Sequence, residues 1–206
     1  ITPNNRFLTF KDPIAPMSSF DNNEADRLSE VLFMDANVSD PGTYFEGYPG
    51  DYLTLNFGKV NSDNAKLVLR TDMKKEVECI EVQVKNDDGV WQKVEVIAPR
   101  AYWSIQGVDL SQYLTHNQDL WVRLFWKEHH RLDYVGLDKT KDANIEIHDA
   151  VFVSAVHSEN GDVKAELTKV DKNYTELVPG QQISLNFSLP NHSPKMARDF
   201  VISTTG

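Results

Sequence analysis

From Asp51 onward the chain alternates apolar and polar residues in twos. In YLTLNF, residues 52–57, Leu53, Leu55 and Phe57 fall on one side of an extended backbone, with Thr54 and Asn56 on the other. In CIEVQVK, residues 79–85, Ile80, Val82 and Val84 oppose Glu81, Gln83 and Lys85. Successive side chains of a strand point to opposite faces, so this spacing fits half-buried strands and no helix. Asp-Gly in NDDG, residues 86–89, tolerates the positive φ of a tight turn and folds CIEVQVK back onto VWQKVEVI. YWSIQGVDL, RLDYVGLD and NIEIHDAVFVSAV read as further strands. DLWVRLFWK, residues 119–127, is apolar on both faces apart from Arg123, the pattern of a central strand sandwiched between layers. Asn160-Gly161 marks another hairpin. The helix candidate is DNNEADRLSEVLF, residues 21–33, where Asp21 or Asn22 would cap a turn or two. Many short strands between regular turns predict an all-β chain with little helix, a sandwich or a barrel.

One strand is written twice. PGDYLTLNF, residues 49–57, returns as PGQQISLNF at 179–187, and LVLRT at 67–71 has a parallel in FVIST at 200–204. Two explanations stay open. Pro-Gly followed by alternation is how many strands begin, or a module is repeated. The stretch after HSENGD is too short for a second full sandwich. The expected division is therefore a sandwich with an N-terminal extension over 1–157. Residues 158–206 would be a β-hairpin tail or the start of a second, truncated β module.

The 206 residues, 40% hydrophobic with 4 Trp, 7 Tyr and 10 Phe, suffice to bury a proper core. A formal net charge of −10 with no basic stripe speaks against nucleic acid, whose binding relies on Lys and Arg displacing condensed cations. No apolar run approaches the length that spans a bilayer, so membrane insertion is not expected. With Ile1 first and no charged-then-apolar leader ahead of it, a processed mature chain or an excised segment is expected. Cys79 stands alone, which excludes an internal disulfide and a thiolate zinc cluster, and within a strand it reads as a small hydrophobe. Sequons at Asn37, Asn173, Asn186 and Asn191 point to the cell exterior. An extracellular or cell-surface location is the expectation.

The run from DYLTLNFGKV to about HDAVFV resembles a discoidin-type, galactose-binding-like jelly roll, as in prokaryotic cell-surface proteins. The likeness lies in the order of its pieces: LTLNFG ending in a Gly-marked turn, the hairpin IEVQVKNDDGVWQKVEV, Val108 to Ser111, Val122 to Leu124, then LDYVGLD with IHDAVFV as a closing pair. The resemblance implies an antiparallel β-sandwich of jelly-roll type with a structural Ca²⁺ where loops meet. The chain lacks the Cys pair of the disulfide-tied members of that family.

Residues for chemistry follow from these elements. FMDANVSDPG offers Asp35, Asn37 and Asp40 at alternating spacing in a loop, a candidate Ca²⁺ set of carboxylate and amide oxygens. His129 and His130, with Asp133, are close in sequence, but adjacent residues point apart and cannot readily share one ion. His116, His148 and His157 read as turn or strand-edge residues. No nucleophile elbow, phosphate loop or His-Glu-x-x-His helix occurs, and the chain is expected not to be an enzyme. The aromatics say more. Tyr44, Phe45 and Tyr48 stand in a Gly/Pro-rich loop before the first sure strand, and Arg100, Tyr102 and Trp103 in a second loop. Ring faces stack on sugars or cover a partner's apolar patch, and Arg adds directed hydrogen bonds. A recognition module binding glycan or protein through loops at one end is the first reading. A structural assembly domain without a small ligand is the alternative, and a carboxylate-dependent hydrolase the third.

Overall fold

The computed structural model of the chain describes residues 8–36, 42–60, 63–73, 79–115, 118–191, 198 and 200–202. The chain divides into two compact units, Ile1–Ala143 and Asn144–Gly206. No helix among the described residues is long and apolar enough to cross a membrane.

The first unit is an antiparallel β-sandwich, as the alternation requires. Its strands are β1 (Ser18–Asp21), β2 (Phe45–Gly47), β3 (Tyr52–Val60), β4 (Lys66–Met73), β5 (Ile80–Lys85), β6 (Trp91–Ile97), β7 (Ser104–Asp109), β8 (Gln118–Trp126) and β9 (His130–Asp138). One sheet runs β1-β3-β8-β5-β6 and the other β2-β9-β4-β7. The chain crosses between them from β3 to β4, β4 to β5, β6 to β7, β7 to β8 and β8 to β9, the jelly-roll habit. Within this unit, among the described residues, β5 and β6 are the strands consecutive in the chain that pair as a hairpin, through a turn in which Gly89 has φ 79°. As expected, β8 is central, paired with both β3 and β5.

Burial follows the parity read from the sequence. Leu53, Leu55, Ile80, Val82, Leu67, Leu69, Leu132 and Val135 are fully shielded between the sheets. Trp126 is the largest buried side chain, and its indole N–H donates to the His130 carbonyl at 3.1 Å. The helix candidate instead forms a bend. Asp21 at the end of β1 accepts the N–H groups of Asn23 and Ala25 and pairs with Arg27, and only Leu28–Glu30 coils, as a 3₁₀ turn. An Asp that bonds its own following backbone favours a turn over a helix.

The N-terminal extension lies across the outside of the four-stranded sheet. Phe10 sits where a Cβ on Gly107 would stand, 2.2 Å from its ring carbon, so only glycine lets the segment lie this close. Lys66, buried on that face, donates to the Thr9 carbonyl at 2.6 Å and pairs with Asp142 at 3.0 Å and Asp138 at 3.5 Å. Asp138 in turn accepts the N–H groups of Lys11, Asp12 and Thr140. Burial works against its charge, yet those hydrogen bonds and the Thr140 hydroxyl pull its carboxyl down to about 2.

The second unit holds β10 (Val151–His157), β11 (Gly161–Asp162), a four-residue helix Lys164–Leu167 and β12 (Ile183–Ser188), in the sheet order β11-β10-β12. The boundary between the units thus falls ahead of Val151. Of IHDAVFV, read as closing the jelly roll, only Val151–Val153 is strand; it begins β10, which pairs instead with β11 and with the rewritten strand β12. The two copies of that strand start alike. Gly50 and Gly180 have φ of 94° and 93°, and the turn N–H groups of Asp51 and Gln181 donate to Tyr48 and Val178. They end differently. Leu55 and Phe57 are 0% and 5% exposed, whereas their counterparts Leu185 and Phe187 are 42% and 37% exposed.

Candidate functional site

The loops before β2 and β7 bring rings from the two edges of the four-stranded sheet across its outer face. Register sets the row. Ser104 of β7 opposes Thr71, Asp72 of β4 opposes Arg131, and Arg131 of β9 opposes Glu46 of β2. Trp103, one residue ahead of β7, and Tyr44, one ahead of β2, meet over this row with centroids 5.9 Å apart. Arg131 lies under both, 5.1 Å from the Tyr44 ring and 4.8 Å from Trp103, and Arg70 sits 5.3 Å from Trp103. Cations over ring faces are attracted by the ring quadrupole.

Both arginines are paired with carboxylates. Arg131 Nε donates to Asp72 Oδ1 at 2.8 Å, and its Nη2 to Asp72 Oδ2, a bidentate fork. That bond holds the guanidinium above its ordinary pKa. Arg70 Nη1 donates to Asp133, which is fully buried where the register slips between Arg70 and Thr71. Burial pushes the Asp133 carboxyl up, and the Ala36 N–H at 3.0 Å and Arg70 restrain it only in part. The charges are consumed within the protein. What the cluster offers outward is ring surface and hydrogen-bonding edges.

The sequence-predicted residues are divided among several roles. Tyr44 and Trp103 come together and are half-buried. Tyr102 is 58% exposed, and its hydroxyl accepts from Arg100 Nη1 at 2.9 Å. Arg100 also lines an open cleft of about 1140 Å³ between the edge strands β6 and β7, together with Ser104, Gln106 and Phe10. Tyr48 stacks on His129 at 4.4 Å, and His129 Nε2 lies 2.8 Å from Glu46 Oε1. Phe45 is turned into the core, 6% exposed and edge-on to Trp126 at 5.1 Å, and offers no face to a ligand. Alternation along β2 explains the split, since Tyr44, Glu46 and Tyr48 share the side that Phe45 does not. Arg70, Arg131, Asp72 and Asp133 were missed as members of the site. Parity in KLVLRTD and HHRLD turns Arg70 and Arg131 outward, but the acids they meet lie on the other of the two strands, which neither segment shows by itself.

Of the candidate Ca²⁺ ligands, Asp35 is exposed and accepts the Thr43 N–H at 2.9 Å, while Asn37 and Asp40 lie outside the described residues. Among the described residues no group of three His, Cys, Asp or Glu side chains is gathered to hold a metal. His129 faces Glu46 whereas His130 is buried, so the adjacent histidines do point apart.

The fold is an antiparallel β-sandwich followed by a smaller β unit. No protein-family model matches the chain. No curated protein matches it either. Among the solved structures that match is the glycoside hydrolase domain of Spr0440, Endo-D from Streptococcus pneumoniae R6, at 12% identity and a TM-score of 0.32. The match covers 69% of this chain and 24% of that one. A likeness at this level says nothing of what this chain binds.

Proposed function

We propose that the first unit is a non-catalytic recognition module of a cell-surface or secreted protein. It binds a glycan or a protein surface at the loop end where Tyr44, Tyr102 and Trp103 stand. The observation that carries this reading is the meeting of Tyr44 and Trp103 from opposite edges of one sheet, with Tyr102 beside them largely in solvent. Rings held by arginines that are themselves tied to aspartates are pre-oriented, and ordering them on binding costs little entropy. Because Asp72 and Asp133 neutralise Arg131 and Arg70, a neutral face suits the site best: a sugar ring or an apolar side chain. Ca²⁺ at Asp35, Asn37 and Asp40 is a further proposal. Adding chelator should lower the melting temperature, and Ca²⁺ but not Zn²⁺ should restore it.

The test compares binding with stability. Tyr102→Ala and Trp103→Ala are screened against a panel of neutral glycans and candidate partner proteins, alongside urea denaturation. Binding lost with stability retained in Tyr102→Ala supports the reading. A Trp103→Ala variant that loses about 3–5 kcal/mol, the usual cost of deleting a core ring, while Tyr102→Ala binds as the parent does, would show the rings to be packing alone.

A further inference from the structure

The outer face of the five-stranded sheet has a centre of its own. On β8, Arg123 opposes Thr54 of β3 and Gln83 of β5. It shares their outward side, because the flanking Val122 and Leu124 are fully buried. Its guanidinium carbon lies 4.4 Å from the Tyr52 ring centroid and 4.1 Å from that of Trp91, so rings bracket it from two strands. Among the described residues it meets no carboxylate, and its Nε, shielded from solvent, has no acceptor. Burial pushes its pKa down, against the charge that guanidinium nonetheless keeps.

The surrounding charge has the same sign. Lys93 and Lys127, 56% and 40% exposed, share one carboxylate, Glu81, at 3.5 and 3.7 Å. Arg123, Lys93 and Lys127 thus have a single ion-paired carboxylate, Glu81, among them, with Lys85 over the Trp91 ring on the same side and Asp119 farther along β8. A planar guanidinium between rings, with an N–H that lacks an acceptor, matches a carboxylate, which accepts two parallel N–H bonds in one plane. The half-buried Trp121 lies two residues along the same strand, about 7 Å away, on the same side. That spacing is of the order of one sugar ring beside its own carboxyl group.

We propose that this face binds an acidic saccharide. The carboxylate of a hexuronate accepts hydrogen bonds from Arg123, and Trp121 and Trp91 pack against the sugar rings. The site is separate from the loop-end cluster, whose Arg70 and Arg131 already have their acids.

The experiment is calorimetric titration of the full chain with tetragalacturonate, with its methyl ester as the uncharged match and tetraglutamate as a second source of carboxylates. The expected result is that the acid saccharide binds and the ester and the peptide bind at least about tenfold more weakly. Arg123→Gln should lose about tenfold, and added salt should weaken binding. In ¹⁵N spectra of the unaltered protein, the Arg123 Nε–H signal should move during the titration, which needs no variant to fold. A stationary Arg123 signal, no binding of tetragalacturonate, or equal binding of acid and ester overturns the proposal. Tighter binding of tetraglutamate overturns it in favour of an acidic peptide.

Discussion

Arg131 on the four-stranded sheet and Arg123 on the five-stranded sheet both point away from the core and both lie against aromatic rings. The distances are alike, 4.8 Å to Trp103 and 4.1 Å to Trp91. Their counter-charges are not. Arg131 is forked onto Asp72, and its neighbour Arg70 holds the buried Asp133, whereas Arg123 lies between rings and meets no carboxylate among the described residues. A paired arginine can position its neighbours but has little charge left for a ligand. An unpaired one keeps its fork, and the protein around it goes without the stabilisation a carboxylate would give. Ring contact alone therefore does not distinguish a strut from a binding group; the missing acid does.

The largest effect should come from breaking a pair. Asp133 has no exposed surface, so Arg70→Gln strands a buried carboxyl. Removing one partner of a buried pair costs about 3–5 kcal/mol. Arg70 is partly exposed and Asp133 keeps the Ala36 N–H, which puts the loss near 3, measured by urea denaturation.

Next comes the sealed end of the same face. Asp138 has its carboxyl lowered from 3.8 to about 2. A folded pKa below the unfolded one stabilises fully above about pH 4, and that contribution is lost as pH falls through about 2. Asp138→Asn should cost about 2 kcal/mol at neutral pH. The difference from the parent should shrink as pH falls toward 2 and be lost below it, as read from melting temperatures across that range.

Smaller still is the effect of salt on binding at the loop end. With Arg70 and Arg131 neutralised and only Arg100 of the loop end without an acid among the described residues, binding there should depend on ionic strength less than at the sheet face, by about twofold between low and moderate salt. The smallest effect is that of Tyr102→Ala on stability. A side chain this exposed should leave the unfolding midpoint within about 0.5 kcal/mol of the parent, in the same urea series.

Much of the fold was legible because alternation fixes the face of each residue. Leu53, Leu55, Val82 and Val84 are buried as their parity requires, and DLWVRLFWK is central. Parity does not say what lies opposite a face. PGQQISLNF repeats the turn and strand of PGDYLTLNF, yet Leu185 and Phe187 remain partly exposed where Leu55 and Phe57 are sealed between sheets. The boundary ahead of Val151 was hidden for the same reason, since β10 could pair with either unit by its pattern alone. At the candidate site, loop aromatics were visible as a class. Which ring turned inward, Phe45, was decided by one residue of register on β2. The arginine pairs depend on strands far apart in sequence, Asp72 with Arg131 and Arg70 with Asp133, which no local spacing announces.

The contrast between the arginines can be measured in one urea series, with Arg70→Gln and Arg123→Gln unfolded side by side at neutral pH. The paired arginine should cost about 3 kcal/mol and the unpaired one less than about 1, because Arg123 leaves only ring contacts behind. Equal losses at the two positions would contradict the account, and so would a larger loss at Arg123.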